Sequence, residues 1–176
     1  MIQYRTLSSD EISRDLFKDF IRHQVVTKCW RKENAEWVIK DDHFIDDWGE
    51  KEYEILISCL KHTLATNGFV YAAFWHGMLK GFVSVESGLF GNTQSYLDLS
   101  SIHVSEDLRG RGIGASLFHT AKEWAKSQGA AKLYISAHSA VESQAFYKKM
   151  GCVDAEFIHQ KHAEDEPYDC QLECTL

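Results

Sequence analysis

The feature that most constrains the fold is a glycine-rich segment between a β-strand pattern and an amphipathic helix pattern. From Arg109 to Gly114 the chain reads RGRGIG, and apolar residues then recur at helical spacing. The first N–H groups of a helix lack partners within the helix, and the helix dipole is positive there. The missing side chains of Gly112 and Gly114 let a phosphate approach, and Arg109 and Arg111 add positive charge. The segment therefore predicts a cradle for a pyrophosphate.

Two common phosphate loops fit this segment poorly. A P-loop ends in Gly-Lys-Ser/Thr, whereas Gly114 is followed by Ala115 and Ser116. A dinucleotide fingerprint is formally present from Gly110 to Ala115, but residues 105–109 separate it from the end of the preceding strand. That fingerprint also needs an acid about 20 residues further on, and the next strand ends at His138 instead. The glycine segment is therefore better explained by a third class of pyrophosphate site.

Two motifs resemble those of the GNAT N-acetyltransferase superfamily. The family's acyl-CoA loop has the core pattern Arg/Gln-x-x-Gly-x-Gly/Ala, which Arg109, Gly112 and Gly114 fill. A second stretch, AFYKKMG over residues 145–151, matches the family's next motif at the expected spacing. Both motifs occur in the family's order, and with the strands around them they cover roughly residues 69–160. The resemblance implies an enzyme that transfers an acetyl group from acetyl-CoA to an amine.

The hydrophobic patterns and the resemblance together predict the fold class. We expect an α/β (α+β) fold with a mixed, mostly antiparallel central sheet of six to seven strands, a splayed parallel pair and flanking helices. The whole chain, 1–176, is expected to be one domain, with a cofactor-binding core at about 69–160 and N-terminal helices at about 10–66 that shape the acceptor site. Residues 30–48 look irregular. Strands are predicted near 2–6, 69–75, 80–86, 96–104, 133–137, 152–159 and 168–174, and helices from about Asp10, Glu50, Ile113 and a capping box at Ser139–Glu142.

The resemblance also implies where acetyl-CoA lies. In the family, the strand before the glycine loop diverges from its parallel neighbour, and the pantetheine arm pairs with backbone groups in the gap. Here these strands are 96–104 and 133–137, and a backbone N–H of the first can polarise the thioester carbonyl. Tyr147 matches the family's usual acid for the leaving thiolate, although packing on an amphipathic helix would also explain it. The implied cofactor contacts are Ile102, His103, Val104, Arg109, Gly110, Arg111, Gly112, Ile113, Gly114, Ala115, Ser143, Phe146 and Tyr147.

One position departs from the family pattern. Many members have asparagine seven positions before the tyrosine, whereas this chain has Ala140. Ser139 is the candidate to replace that contact.

Asp98 is the predicted catalytic base that removes a proton from the amine. Even-numbered positions of a regular strand share a face, so Asp98 is expected to point as Ile102 and Val104 do. A carboxylate inside a sheet is costly unless it is paired or used, and a bond to backbone or an arginine would explain Asp98 equally well. Glu86 and His103 are weaker candidates for the same role.

The acceptor is expected to bind the acidic, aromatic segment from Trp30 to Trp48. Trp30, Trp37, Asp41 and Asp42 are the predicted substrate-binding residues, because aromatic faces and carboxylates together attract a cation. The net charge of −7 agrees with a cationic small-molecule amine and argues against a nucleic-acid partner. A polyamine, an amino sugar or an aminoglycoside would fit. The plainer interpretation is an acidic surface loop whose aromatic residues join the core.

Two other functions fit the same motifs. An enzyme that acetylates protein N-termini or lysines would need an open groove, and a non-catalytic sensor would bind acetyl-CoA without turnover. The chain shows no signal-peptide core, its longest nearly apolar run (69–79) is too short to span a bilayer, and its five cysteines form no C-x-x-C pair. We expect a cytoplasmic protein with no membrane partner and no metal, and we allow for a homodimer. The segment around His159 and His162 is interpreted as a solvated loop.

Overall fold

Seven strands form the central sheet in a computed structural model that describes residues 1–176. The sheet order is β1-β4-β5-β6-β7-β9-β8, and only β6 and β7 pair in parallel. This confirms the predicted mixed, mostly antiparallel sheet. The strands are β1 (Ile2–Thr6), β2 (His23–Glu33), β3 (Glu36–Asp47), β4 (Phe69–Trp75), β5 (Met78–Val85), β6 (Tyr96–Val104), β7 (Lys132–Ala137), β8 (Val153–Asp154) and β9 (Cys170–Thr175), and the helices are α1 (Glu50–Ala65), α2 (Ile113–Ser127), α3 (Val141–Lys149) and α4 (Gln160–Asp165).

The two faces of the sheet are covered by different helices. On one face, α2 buries Ile113, Leu117, Phe118 and Ala121 against alternate residues of β5, β6 and β7. On the other face, α1 packs against β4 and β5 together with the segment that follows β1. These helices show the apolar spacing that the sequence predicts, because one stripe of each faces the sheet. None of the helices is both long enough and apolar enough to cross a membrane.

The predicted helix from Asp10 to about Ile21 is wrong. The segment forms two 3₁₀ turns, Ser9–Glu11 and Asp15–Phe17, which still bury their apolar side chains in the core beside α1. Its serines and aspartates offer the backbone alternative hydrogen bonds, which shortens helices. Ser8 illustrates this, since its N–H and hydroxyl both bond to the Glu11 carboxylate at 2.9 Å.

Residues 30–48, which look irregular in the sequence, belong to a long β-hairpin. Strands β2 and β3 pair antiparallel from His23↔Asp47 to Glu33↔Glu36, apart from the main sheet. The turn places Asn34 at φ +49° and Ala35 at φ +65°. Such paired positive values match the twist of a two-residue hairpin, for which Asn-Gly is the usual signal. Ala35 in place of glycine hides that signal, so the N-terminal part holds one helix and a hairpin rather than several helices.

Two further local predictions also fail. The strand predicted over 152–159 is only Val153–Asp154, because the N–H of Glu156 bonds to the Glu173 carboxylate at 3.2 Å rather than to a strand carbonyl. The capping box at Ser139 does not form either. Ala140 is the N-cap of α3 without a side-chain cap, and the hydroxyl of Ser139 instead accepts from Arg31 at 2.7 Å.

Candidate active site

The parallel strands β6 and β7 pair at one end and then diverge. The paired rows run from Tyr96↔Lys132 to Asp98↔Tyr134. Beyond them, β6 stays bonded to β5 as far as Val104, while β7 is bonded to β9 on its opposite edge. The edge of β6 that faces the gap therefore has backbone N–H and C=O groups without a strand partner over residues 99–104. The predicted splayed pair is present, and an extended ligand can pair with this edge.

The glycine segment begins α2 with a left-handed backbone and leaves the first N–H groups of the helix uncapped. The φ angles are +75° at Gly110 and +81° at Gly112, which glycine adopts without strain. Gly112 is the N-cap, and a Cβ atom at either glycine would meet no atom within 4 Å. Arg109 donates from Nε to the carbonyl of Val104 at 3.2 Å, which ties the loop to the end of β6. Open N–H groups beside exposed arginines fit a diphosphate.

Gly114 has a different role from the one that the glycine pattern suggests. A Cβ atom at Gly114 would lie 3.2 Å from the ring of Phe146. Glycine here allows α2 to pack closely against α3, while the role of Gly114 in binding the cofactor stays a prediction. Ile113, also among the predicted cofactor contacts, buries its side chain in the core at 1% exposure, so only its backbone faces the loop. Ala115 and Ser143 are partly exposed near the start of their helices.

Tyr147 lies half-buried on α3, and its hydroxyl has no hydrogen-bond partner within the protein. Its ring packs against Phe118 and Phe146 at centroid distances of 6.5 and 5.2 Å. Burial raises the pKa of Tyr147, and the nearby Cys152 and Asp169 raise it further. The phenol is therefore protonated near neutral pH and is available as a proton donor.

A β-bulge interrupts the alternation of side chains along β6. Ser84 of β5 lies opposite Ser101, whereas Val85 lies opposite Leu99. Ser100 is thus the extra residue, and the side chains on either side of it change face.

The bulge places Asp98 on the face opposite to Ile102 and Val104, so the expectation from regular alternation is wrong. Its strand neighbours Leu97 and Leu99 lie in the core around α2, against which Ile102 and Val104 also pack. On the other face, Oδ2 of Asp98 lies 2.7 Å from Nε2 of His162 in α4. Asp98 is therefore paired with a histidine, and the segment that looked like a solvated loop places a side chain at the strand divergence.

The two weaker candidates for the base are differently placed. His103 packs its ring edge-on to Trp48 at 4.7 Å. Burial, with the charges of Arg22 and Arg109, lowers the pKa of His103 to about 3, so this imidazole is neutral near pH 7. The carboxylate of Glu86 accepts hydrogen bonds from two hydroxyl groups at 2.6 and 2.7 Å.

The hairpin of β2 and β3 spans the mouth of the gap. Just past β6, the N–H of Glu106 donates to the carbonyl of Ile21 at 3.0 Å. Just past β7, the N–H of Trp30 donates to the carbonyl of Ser139 at 2.8 Å. The chain between Ile21 and Trp30 therefore runs from the end of one diverging strand to the end of the other. Ala140 pairs with Cys29 in an isolated β-bridge at this crossing, and both residues are fully buried.

The predicted acceptor residues do not all face the same space. Trp30 packs against the core around α2, and Trp37 packs there as well while donating from Nε1 to Asp154 at 2.9 Å. Asp41 is exposed on the hairpin. Of the four, Asp42 lines the cavity described next, and the interpretation of the two tryptophans as core residues describes their position better.

That cavity lies between the hairpin, the end of β7 and the segment before β9, and its volume is about 340 Å³. Arg31 is neutralised within it, since it bonds to Asp42 at 2.6 Å, and its guanidinium stacks on Tyr168 at 4.5 Å. Burial raises the pKa of Asp169, the Ser136 hydroxyl opposes this with a hydrogen bond, and Glu166 adds to the rise. The lining residues are Arg31, Asp42, Phe44, His138, Ser139, Glu166, Tyr168 and Asp169.

Sequence reasoning misses His162, Arg31 and Asp169. Each is defined by partners far away along the chain: His162 bonds to a residue 64 positions earlier, and Arg31 to one 108 positions later. No local spacing marks such residues. The chain holds no group of three or more His, Cys, Asp or Glu side chains arranged to bind a metal ion.

Comparison with known proteins agrees with this geometry. The chain is similar in structure to a protein assigned as a streptothricin acetyltransferase from Bacillus anthracis str. Ames, solved with acetyl coenzyme A (TM-score 0.71, 19% identity, 100% of this chain and 99% of that chain covered). It also resembles nourseothricin acetyltransferase (TM-score 0.69, 17% identity, 98% and 95% covered). A third similar structure is ribosomal-protein-alanine N-acetyltransferase from Brucella melitensis (TM-score 0.61, 18% identity, 99% of each chain covered).

At the level of sequence, no curated protein matches the chain. The model of the acetyltransferase (GNAT) family does match it, over residues 26–152. This range includes both motifs, the diverging strands and most of the hairpin. The chain is an acyltransferase that belongs to the GNAT acetyltransferase family.

Proposed function

We propose that this protein transfers an acetyl group from acetyl-CoA to a primary amine of a small cationic molecule. The observation that carries the proposal is the charge of the cavity beside the gap. Arg31 is paired with Asp42, whereas Glu166 and Asp169 form no ion pair, although His138 and His162 act on Asp169 electrostatically. Burial makes the charge of Asp169 costly, so a bound cation would stabilise it. The aromatic surfaces of Phe44 and Tyr168 in the same wall also favour a cation.

We infer that the cavity is near the proposed leaving-group acid, Tyr147. The charge of Asp169 contributes to the raised pKa of Tyr147, so the two side chains are within electrostatic range of each other. An amine held by Asp169 would therefore be near the place where the thiolate must be protonated. Holding both reactants in line supplies much of the rate in a direct transfer.

The residues present fit acetyl-CoA as the acyl donor. The uncapped N–H groups of α2, with Arg109 and Arg111, would hold the diphosphate. The unpaired edge of β6 over Ile102–Val104 would pair with the pantetheine arm. A backbone N–H of that edge would polarise the thioester carbonyl as the amine attacks, and Tyr147 would give its proton to the sulfur. Acetyl-CoA would thus lie with its pantetheine arm along the end of β6 and its diphosphate at the glycine segment that follows.

Two features favour a small acceptor over a protein substrate. The hairpin and the segment before β9 form two walls of a cavity of about 340 Å³, a volume that suits a small molecule. The similar structures of streptothricin acetyltransferase and nourseothricin acetyltransferase carry the names of small-molecule antibiotics. We therefore place cationic antibiotics and polyamines before peptides as acceptors.

A free-thiol release assay tests the proposal. Acetyl-CoA is supplied with polyamines, aminoglycosides, streptothricin and a peptide with a free N-terminus. We expect saturable thiol release with at least one cationic small molecule and acetyl-CoA binding by calorimetry. Release only with the peptide would support the protein N-acetyltransferase alternative, and binding without release across the panel would support the sensor alternative.

The charge of the cavity is tested by Asp169→Asn, which keeps an oxygen for the Ser136 hydroxyl but removes the carboxylate charge. We expect KM for the cationic acceptor to rise about tenfold, which corresponds to roughly 1.4 kcal/mol, with KM for acetyl-CoA unchanged. Asp41→Asn is the matched control, because Asp41 is exposed on the hairpin outside the cavity. Equal KM values for the two variants would show that the acceptor binds elsewhere.

A further inference from the structure

Asp98 and His162 form a pair at the point where the parallel strands diverge. Asp98↔Tyr134 is the last paired row of β6 and β7, and the gap opens directly beyond it. Oδ2 of Asp98 and Nε2 of His162 are 2.7 Å apart. The side chains are 15% and 31% exposed, so the pair is shielded from water without being sealed. It lies on the face of the sheet opposite to α2.

The imidazole of His162 is oriented from two sides while one nitrogen stays free. Asp98 holds Nε2, and the ring of Tyr134 lies nearly parallel to the His162 ring (16° apart, centroids 6.0 Å). No protein group bonds to Nδ1. The carboxylate thus fixes the tautomer with the proton on Nε2, and the lone pair of Nδ1 is available.

The charged and titratable groups around His162 act together on its basicity. The hydrogen bond to Asp98 raises the pKa of His162, and burial lowers it. The negative charges of Asp98 and Asp165 raise this pKa further, whereas the positive charge of Lys161 lowers it. Asp169, on the turn before β9, is also within electrostatic range, and the rings of Tyr134 and His159 pack against the His162 ring. A carboxylate alone titrates near pH 4 and is a weak base for an ammonium group. A histidine whose pKa lies above its usual value is a better match at neutral pH.

We propose that His162, oriented by Asp98, accepts the proton of the acceptor amine, directly or through one water molecule. The ammonium gives one proton to Nδ1, and the Asp98 carboxylate stabilises the imidazolium. The freed nitrogen lone pair forms the C–N bond as the C–S bond breaks. The sulfur takes the phenol proton of Tyr147, the second N–H proton replaces it through solvent, and His162 returns its proton to bulk water. The inference rests on the proposed N-acetyltransferase function and changes the role of Asp98 from base to positioning residue.

Three observations link the pair to the reacting groups. It lies at the closed end of the gap that would hold the pantetheine arm. Asp169, a cavity residue, accepts a hydrogen bond from Ser136 at 3.1 Å, and Ser136 lies two residues beyond Tyr134, whose ring lies against His162, so the pair and the cavity share the same stretch of β7. His103, another histidine close to the gap, has its pKa lowered to about 3 and is therefore a much weaker base.

The test is the pH dependence of kcat for wild type, His162→Gln and Asp98→Asn with a cationic amine from the thiol-release panel. Wild-type kcat should rise with pH to a plateau, with an inflection above pH 6.5. His162→Gln should lower kcat at pH 7 by about 10² to 10³ and remove this inflection. Asp98→Asn should move the inflection to lower pH, because the bond that raises the pKa of His162 is weakened. His119→Gln, an exposed histidine on α2, is the matched control.

A second readout separates a catalytic role from a structural one. An acceptor whose amine is largely deprotonated at pH 7 should lose much less rate in His162→Gln than a fully protonated one, and added imidazole should restore part of the rate of His162→Gly. Unchanged acetyl-CoA affinity and melting temperature show that the variants are folded. If the wild type turns over and His162→Gln keeps its rate and inflection, the dyad assignment is wrong. If the wild type releases no thiol with any amine, the proposed function is wrong instead.

Discussion

At the gap between β6 and β7, the protonation of each side chain depends on its surroundings more than on its residue type. Burial keeps the phenol of Tyr147 protonated and His103 neutral. The hydrogen bond to Asp98 has the opposite effect on His162, whose pKa is raised. A proton donor and a proton acceptor can therefore coexist at one pH.

Tyr147→Phe isolates the donor. Phenylalanine keeps the packing against Phe118 and Phe146 but removes the proton. We expect kcat to fall by about 10² or more, with acetyl-CoA affinity unchanged, because a transition-state interaction is lost. Steady-state kinetics and calorimetry measure the two quantities, and Tyr71→Phe, remote on β4, is the control. An unchanged kcat would remove Tyr147 from the mechanism.

At the scale of elements, the start of α2 has a left-handed backbone and open space beside its first residues. Gly112 has a left-handed φ and open space where a side chain would be, whereas Gly114 is filled by packing. A side chain added at Gly112 would therefore enter open space, whereas one added at Gly114 would also disturb the packing of α2 on α3.

Gly112→Asn introduces a side chain that tolerates a positive φ, so crowding can be separated from backbone strain. We expect acetyl-CoA affinity to fall by at least tenfold. Gly129→Asn is matched to it, since Gly129 has φ +87° and equally open space but lies beyond the far end of α2. Normal acetyl-CoA binding by the Gly112 variant would show that the diphosphate lies elsewhere.

Elements with strong local signals could be predicted from the sequence, and those set by distant contacts could not. The amphipathic stripes of α1 and α2 and the turn at His76-Gly77 are local and correct. The hairpin of β2 and β3 could not be predicted because Asn34-Ala35 is a weak turn signal. The face of Asp98 depends on one extra residue, Ser100, which no pattern marks. The acetyltransferase family could therefore be predicted from the local motifs, whereas the residues that line the cavity could not.

At the scale of the whole molecule, one buried carboxylate ties together the paired ends of the diverging strands. Glu173 of β9 accepts hydrogen bonds from Tyr96 of β6 at 2.5 Å and from Lys132 of β7 at 2.6 Å. Burial alone would raise the pKa of Glu173, but these bonds and the N–H of Glu156 hold it below its usual value. The closed end of the gap thus depends on an ionised group.

This cluster predicts how stability depends on pH. The contribution of Glu173 is complete above its unfolded pKa of about 4.3 and is lost as pH falls through its lower folded value. Glu173→Gln should cost about 1–3 kcal/mol at pH 7, and this difference from wild type should shrink below pH 4. Urea unfolding between pH 7 and pH 3.5 measures it, with Glu54→Gln, exposed on α1, as control. A difference that stays constant with pH would show that Glu173 is not the ionised partner.

The crossing of the hairpin from the end of β6 to the end of β7 has an evolutionary consequence. In the proposed function, the donor loop and the acid belong to α2 and α3, whereas Arg31, Asp42 and Phe44 of the proposed acceptor wall belong to the hairpin of β2 and β3. Substitutions or length changes in that hairpin can therefore alter which amines are accepted while the machinery for the activated acyl group is left intact. Retargeting the enzyme by exchanging this one segment is the natural engineering route.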